Sequence, residues 1–280
     1  MKKILMANDL SERSELALAR AALLAEAFGS GLEILSVVPK TSHEETTRDK
    51  VAAARQAIAY QMSQASIADR PSVAAHVTPG HDFEDIIARS EALGSDLVVL
   101  GNHRHKLREM FVGTTAERVI RHGKKPVLVV KTTAAGPYRR VLIATDLSPH
   151  SEAAADLAAR LVPSGEIVLL HAVSKPFRGF LDESSQTSIV EGEIAAAEER
   201  LRKTSNRIKA ECGEAAPEID IRVMAGDLDS VIAAQIEALK PDLLVIGTHG
   251  RTGIAHALIG SAAEELLSSC PIDIAVVKAA

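Results

Sequence analysis

The residues best suited to chemistry lie in Gly247–Ser261, read GTHGRTGIAHALIGS, with glycines at Gly247, Gly250 and Gly260. Glycine tolerates positive φ and lets a ligand reach the backbone with no Cβ in the way. Gly260-Ser261 stands at the head of a helix-like run, Ala262–Leu267. Free backbone N–H groups and a hydroxyl at a helix start are the arrangement that binds phosphate. The apolar Leu243–Ile246 comes immediately before, so the stretch reads strand, glycine loop, helix. It lacks the Gly-Lys-Ser/Thr ending of a Walker A loop, and the dinucleotide fingerprint GxGxxG is absent. By spacing alone, phosphate binding and a plain loop whose glycines only turn the chain both stay open.

Two further strand ends converge on this loop. Ligands of open parallel sheets sit beyond the carboxyl ends of the strands, where the strand order switches. Asp146 ends one strand there and Ala172-Val173 ends the next. A carboxylate accepts from an adenine amino or a ribose hydroxyl, and backbone N–H and C=O pair with a base edge. The alternative for Asp146 is a cap for the helix beginning near Ser151, or a turn closure. Asp229 and Ser230 are expected to cap their own helix. His171, His249 and His256 lie near the site; His249 is placed to approach a phosphate, but no residue partners it as a general base. HExxH, CxxC and GxSxG are all missing, and His103-x-His105 lacks a third metal ligand. Neither a catalytic set nor a metal site is visible.

The elements that must position these groups alternate regularly. In the first half, strands are expected at Ile4–Ala7, Leu32–Val38, Ser72–Val77, Asp96–Leu100 and Val127–Val130. Helices are expected at Glu15–Phe28, Val51–Ala68, Phe83–Leu93 and Val112–Arg121. Ser11 or Ser14 would cap the first, whose apolar face would be Leu16, Ala19, Leu23, Leu24 and Ala27; Asp82 would cap the third. Pro79-Gly80 would turn the chain out of its strand. Continuous apolar strands alternating with helices imply an α/β fold whose parallel sheet is covered on both faces.

The pattern then repeats. MKKILMANDLSERSE at the start answers YRRVLIATDLSPHSE at Tyr138–Glu152, and further landmarks follow in the same order through the final strands. The repeat is domain-sized, giving domains at 1–133 and 138–280. The first copy keeps Asp9, Gly101, Gly113 and Thr114, but reads GNHRHKLREMFVGT, with Arg104 in place of Gly250 and one residue fewer before the closing glycine. A side chain there projects where a backbone should meet phosphate. The surrounding His103, Arg104, His105, Lys106 and Arg108 either substitute charge for that cradle or form a solvated, altered loop. A weakened or lost site is the expectation.

Composition sets the outer bounds. The 280 residues carry a formal net charge of −5, with five Phe, two Tyr and no Trp. That gives no general polyanion surface and little means of stacking bases, so nucleic acid is not an expected partner. No apolar run approaches a membrane span, and Lys2-Lys3 leads into a strand-like ILMA, so a cytoplasmic protein is expected. Cys212 and Cys270 are expected as free thiols, Cys270 the more buried. Val127–Val130 and Ile274–Val277 would be apolar edge strands, with Asp273 the sole charge; two such edges on one chain can cover each other as an internal pseudo-dimer.

At this point the chain resembles the universal stress protein family, in its tandem-domain form. The most specific part is Gly247-x-x-Gly250 with nine residues before Gly260-Ser261, similar to the family's ATP-binding motif in full. Asp9 and Asp146 resemble the family's Asp on the adenine-ribose side, and Val38 and Val173 fall near its backbone contacts to adenine. The resemblance implies two duplicated open sheets, Rossmann-like and adenine nucleotide alpha hydrolase-like, of five strands in the order 3-2-1-4-5. It implies a cytoplasmic stress-response protein, often a homodimer, with ATP in the second half and Mg²⁺ beside the phosphates. A non-nucleotide binding or interaction scaffold and a slow ATPase are the competing readings.

Overall fold

The structure, a computed structural model, describes residues 1–102, 113–174, 183–248 and 260–279, the side chains of 183–186 excepted. Arg104 and Gly250, with His249, His256 and the basic cluster from His103 to Arg108, lie outside the described residues. The chain divides into two compact units, Met1–Pro137 and Tyr138–Ala280.

In the first unit the elements run β1 (Lys3–Ala7), α1 (Glu12–Phe28), β2 (Gly31–Pro39), α2 (Glu44–Gln64), β3 (Val73–Gly80), α3 (Asp82–Leu93), β4 (Leu97–Gly101), α4 (Thr115–His122) and β5 (Val127–Val130). Its strands lie parallel in the order β3-β2-β1-β4-β5. The second unit runs β6 (Arg140–Ala144), α5 (Pro149–Leu161), β7 (Glu166–Val173), α6 (Glu183–Cys212), β8 (Glu218–Ala225), α7 (Leu228–Leu239), β9 (Leu243–Gly247), α8 (Ser261–Ser269) and β10 (Asp273–Val277). Its parallel order is β8-β7-β6-β9-β10. Each unit is thus the five-stranded α/β sheet in the order 3-2-1-4-5 that the sequence implies. The order switches beside the first strand, between β1 and β4 and between β6 and β9, which is where such sheets place ligands.

The central strands are apolar because both faces are covered. Ile4, Leu5, Met6, Val141, Leu142 and Ile143 are all fully buried. Asp273 is also fully buried at the head of β10, where its carboxylate accepts the Tyr138 hydroxyl at 2.6 Å. Cys270 is buried, Cys212 is half-buried, and both are free thiols. Among the described residues, no helix is long and apolar enough to cross a membrane.

Several boundaries differ from the sequence expectation for identifiable reasons. Helix α1 is capped by Ser11 and buries Ala17, Leu18, Ala21, Leu24 and Ala25. Alanine and leucine surround this helix, so its apolar periodicity fits two overlapping faces and cannot choose between them. Helix α2 begins at Glu44 rather than Val51, because Glu44 and Glu45 suit the positive end of the helix dipole. Strand β3 continues through Pro79-Gly80; it is the outer strand of its sheet, where a missing N–H is tolerated. Asp82 is the first residue of α3 rather than its cap, and it accepts the Thr115 hydroxyl. Helix α4 starts at Thr115, with Thr114 as its cap. In the second unit Asp227, rather than Asp229 or Ser230, caps α7, accepting the Ser230 N–H at 3.3 Å.

Two glycines fix how closely strand and helix approach. A Cβ on Gly247 would lie 2.8 Å from His150 Cβ and 3.1 Å from the Ser151 nitrogen, in the first turn of α5. One on Gly101 would lie 2.9 Å from the Arg13 carbonyl oxygen in the first turn of α1. Gly247→Ala and Gly101→Ala should therefore each cost about 1–3 kcal/mol by overpacking. Urea denaturation of each variant measures this, and a change near zero would show that the helix start yields freely.

Candidate functional site

Strand β6 ends at Ala144, paired with Leu170 on one side and Ile246 on the other. The chain then turns through Thr145–Ser148 into α5. The Thr145 hydroxyl accepts the Leu147 N–H at 3.0 Å and donates to Ser151 Oγ at 2.9 Å. Asp146 Oδ1 accepts the Ser148 N–H at 3.1 Å, and Ser148 caps the helix. Leu147 is held at φ 65, a left-handed backbone rare for a branched side chain. Its carbonyl accepts the Arg200 guanidinium at 2.6 Å. The turn thereby satisfies one oxygen of Asp146. Asp146 Oδ2 is buried and has no partner among the described residues. Buried polar atoms are nearly always paired, so this orphan calls for an explanation.

Two cavities meet at this carboxylate. One of ≈ 170 Å³ is walled by Thr145, Asp146, Gly247, Thr248, Gly260 and Ala263, among others. The other, of ≈ 420 Å³, is lined in part by Asp146, Leu147, His171, Ala172, Glu193 and Arg200. On β7, the Glu166 N–H and the Leu170 carbonyl bond toward β6, whereas the Val173 carbonyl bonds to Gly226 on the far side. By that alternation Ala172 faces β6 beyond the point where β6 stops. Its N–H and C=O are therefore open to the cavity, and those of Val173 belong to the ladder. His171 Nδ1 lies 2.6 Å from the Thr145 carbonyl and so carries the proton, donating it there.

The first cavity is closed by the N-terminus of α8. Gly260 is its cap residue and provides no side chain; the Gly260 N–H bonds to the Thr248 carbonyl at 2.9 Å. The first intrahelical bond runs from the Glu264 N–H to the Gly260 carbonyl, at 3.0 Å. The N–H groups of Ser261, Ala262 and Ala263 therefore have no acceptor within the helix, and Ala262 and Ala263 line the cavity. Gly260 has an ordinary φ of −60, and a Cβ there would meet only the Thr248 oxygen, at 3.5 Å. Neither conformation nor packing calls for glycine at this position. Close to the cavity, the Asp229 carboxyl on α7 is held above the usual aspartate range, first by burial and then by the neighbouring Glu265 and Asp227.

The first unit carries the corresponding cavity, of ≈ 440 Å³, lined by Asp9, Val37, Val38, Gly101 and Thr115 among others. Asp9 is exposed, and its Oδ1 accepts the Ser11 N–H at 3.1 Å, the Ser11 hydroxyl at 2.7 Å and the Ser14 hydroxyl. The α4 N-terminus is capped in part by its own side chains, at the Glu117 N–H. Thr114 Oγ accepts the Glu117 N–H at 3.1 Å, and the Glu117 carboxylate accepts the Gly113 N–H at 2.9 Å. Gly113 has φ 84, a conformation that does favour glycine.

Sequence reasoning missed Arg200. The contacts Gln61–Glu15 and Thr204–Glu152 superpose α2 on α6, which puts Ala57 at the Arg200 position. Comparing the two copies along these helices would have exposed the difference.

The universal stress protein family model matches residues 1–131 and again 137–278. The chain belongs to the universal stress protein family. A universal stress protein of Methanocaldococcus jannaschii is 31% identical over 144 residues, covering 50% of this chain and 82% of the relative. Universal stress protein E of Escherichia coli is 24% identical over 303 aligned residues, covering 99% of this chain and 94% of the relative. Among solved structures, a universal stress protein from Archaeoglobus fulgidus matches with a TM-score of 0.71 at 21% identity, covering 99% of this chain and 98% of its own. That last likeness is one of fold.

For this universal stress protein the raised Asp229 pKa has a definite sign. The native state keeps the proton at a pH where the unfolded chain has released it, so this contribution to stability is lost as pH rises through the raised pKa. Asp229→Asn should accordingly stabilise the protein at pH 7. The advantage should shrink as pH falls and level off below the ordinary aspartate pKa of about 3.9. Urea melts across that range test it; a difference independent of pH would remove the assignment.

Proposed function

We propose that the second unit binds an adenine nucleotide, ATP, and acts in a cytoplasmic stress response through nucleotide occupancy rather than as a dedicated enzyme. The observation that carries this reading is the uncapped α8 N-terminus beside the orphaned Asp146 Oδ2. Unpaired N–H groups at the positive end of a helix dipole suit phosphate. The Asp146 oxygen suits a ribose hydroxyl or a base amino group, and the open Ala172 N–H and C=O suit a base edge. Gly247, Gly260 and Ser261 frame the phosphate side, with Gly250 contributing from the loop between them; Val173 follows the base contact. Among the described residues, no three His, Cys, Asp or Glu side chains group closely enough to hold a metal ion. In this reading Mg²⁺ arrives on the triphosphate, as it commonly does. The first unit's Asp9, Val38, Gly101, Arg104, Gly113 and Thr114 then form a site that has lost its affinity for ATP.

Gly260→Ser tests the reading with two effects of opposite sign. A serine cap would accept one of the free helix N–H groups, as Thr114 does in α4, and should leave the ligand-free protein equally or slightly more stable. The same hydroxyl would occupy the phosphate position. Loss of one or two charge-assisted hydrogen bonds of about 1.5–3 kcal/mol each should weaken ATP about ten- to a hundredfold or more. Calorimetry should give one ATP per chain for the natural protein, and thermal melting should lose its ATP-dependent rise in the variant. A variant that keeps the full rise would defeat the proposal.

A further inference from the structure

We propose that Asp229 on α7 holds a proton that it donates to Glu265 on α8, and that this proton ties occupancy of the adjoining cavity to pH. The helix registers put the two residues together. Leu228 begins α7 as Asp82 begins α3, so Asp229 takes the place of Phe83. The buried pair Leu266-Leu267 of α8 answers Val119-Ile120 of α4, so Glu265 takes the place of Arg118. In the first unit those two places are in contact, with the Arg118 guanidinium 5.3 Å from the centre of the Phe83 ring. A cation on an aromatic face holds α3 and α4 together there. The second unit has two carboxyl groups at the same contact, and two carboxylates repel. One proton converts that repulsion into an O–H···O⁻ bond, among the stronger hydrogen bonds in proteins.

The surroundings of Asp229 favour the protonated form. Its Oδ1 is buried with no hydrogen-bond partner among the described residues, a costly state for a full charge. Asp227, the cap of α7, stands two residues away, and Glu264 adds an acid in the first turn of α8. Strand β7, which packs against α7, carries Glu166 and His171. Glu166 is paired with Arg140, and His171 is turned to the Thr145 carbonyl. Burial first, and then Glu265 and Asp227, hold the Asp229 carboxyl above the usual aspartate range. Glu265 is exposed, so the pair exchanges protons with solvent. Leu228 and Leu266, next to the pair in sequence, line the ≈ 170 Å³ cavity, as do Ala262 and Ala263 at the head of α8. The coupling rests on the ATP reading above: phosphates in that cavity face one negative charge from the protonated pair and two from the ionised one. Nucleotide binding therefore takes up a proton, and affinity rises as pH falls through the raised Asp229 pKa. One charge across a partly solvated site changes affinity by about three- to tenfold.

Calorimetry of the full chain with ATP, from about pH 5 to pH 8 in buffers of different ionisation heat, reads the proton directly. Asp229→Asn keeps a donor facing Glu265 at every pH. It should hold the acid-side affinity at neutral pH and lose the extra proton uptake; comparing the two proteins cancels the titration of ATP itself. In the ligand-free chain, the Asp229 carboxyl carbon should titrate above the usual aspartate range by nuclear magnetic resonance, and Glu265→Gln should lower that titration. Equal proton uptake in the natural protein and Asp229→Asn would overturn the coupling while leaving the ATP reading intact. ATP that binds at no pH sinks that reading and the coupling together. An ordinary Asp229 titration, or one indifferent to Glu265→Gln, sinks the donated proton by itself.

Discussion

The ladder hydrogen bonds on either side of Ala144 stop where β6 stops, and the site follows from that ending. In a parallel sheet the neighbouring strands need not end together, so a short central strand strands backbone groups on its longer neighbours. Strand β7 continues to Val173, and Ala172 is left without a partner strand on its β6 side. The chain must also reverse direction into α5 within a few residues. It does so with Leu147 at a left-handed φ, a conformation that costs about 1–3 kcal/mol and persists only when its surroundings fix it. Leu10 has φ 66 in the first unit, so this strain belongs to the shared turn and is not a response to one ligand. What differs between the copies is how the carboxylate beside that turn is engaged. Ser14 turns its hydroxyl onto Asp9, whereas Ser151 is drawn to Thr145 and to the Ser148 carbonyl, leaving Asp146 Oδ2 unmatched.

The same N–H groups at a helix start can be capped by the chain or offered to an anion, but not both. The two units resolve this competition differently. Thr114 takes the Glu117 N–H of α4, and such a cap is worth about 1 kcal/mol to the folded protein. Helix α8 forgoes that stabilisation because Gly260 has no side chain to supply it. A phosphate accepting two charge-assisted bonds of about 1.5–3 kcal/mol each would more than replace the missing cap. The uncapped helix is therefore a mild local instability that a bound anion would relieve, and in the proposed reading ligand binding would be coupled to the stability of that end of the unit.

Much of this was legible in the sequence because duplication doubles the signal. The strands were clear, since a buried parallel strand is a continuous apolar run, and Val127–Val130 matches β5 residue for residue. The helix face of α1 was not, because alanine satisfies either face and close approach to the sheet decides between them. The α2 start was hidden by its polarity: charged residues that would end a strand are compatible with a helix and favour its first turn. Spacing alone puts Asp146 at the end of a strand and Gly260 at the head of a helix, and the fold has them there. Arg200 could not be placed, because it reaches the turn from a distant helix, and its contact is with a carbonyl that only the folded backbone presents. The open backbone groups fall on Ala172, which the sequence names together with Val173, and on Val37, one residue before Val38. That one-residue difference is set by the alternation of the ladder, which depends on register and not on residue type.

The glycines show why a motif of one residue type can serve several physical ends. Gly247 and Gly101 are required by packing, since a Cβ at either would lie within 3 Å of the start of α5 or of α1. Gly113 is required by backbone conformation. Gly260 is required by neither, and its bare Cα borders the cavity beneath free N–H groups. Subtracting what the fold explains leaves this glycine for whatever occupies the space. The same subtraction accounts for the first copy: Gly101 and Gly113 answer to packing and conformation, so they would persist there with or without a phosphate site. Retained glycines are thus weak signs of a retained phosphate site, whereas an uncapped helix beside an unmatched carboxylate is a strong one.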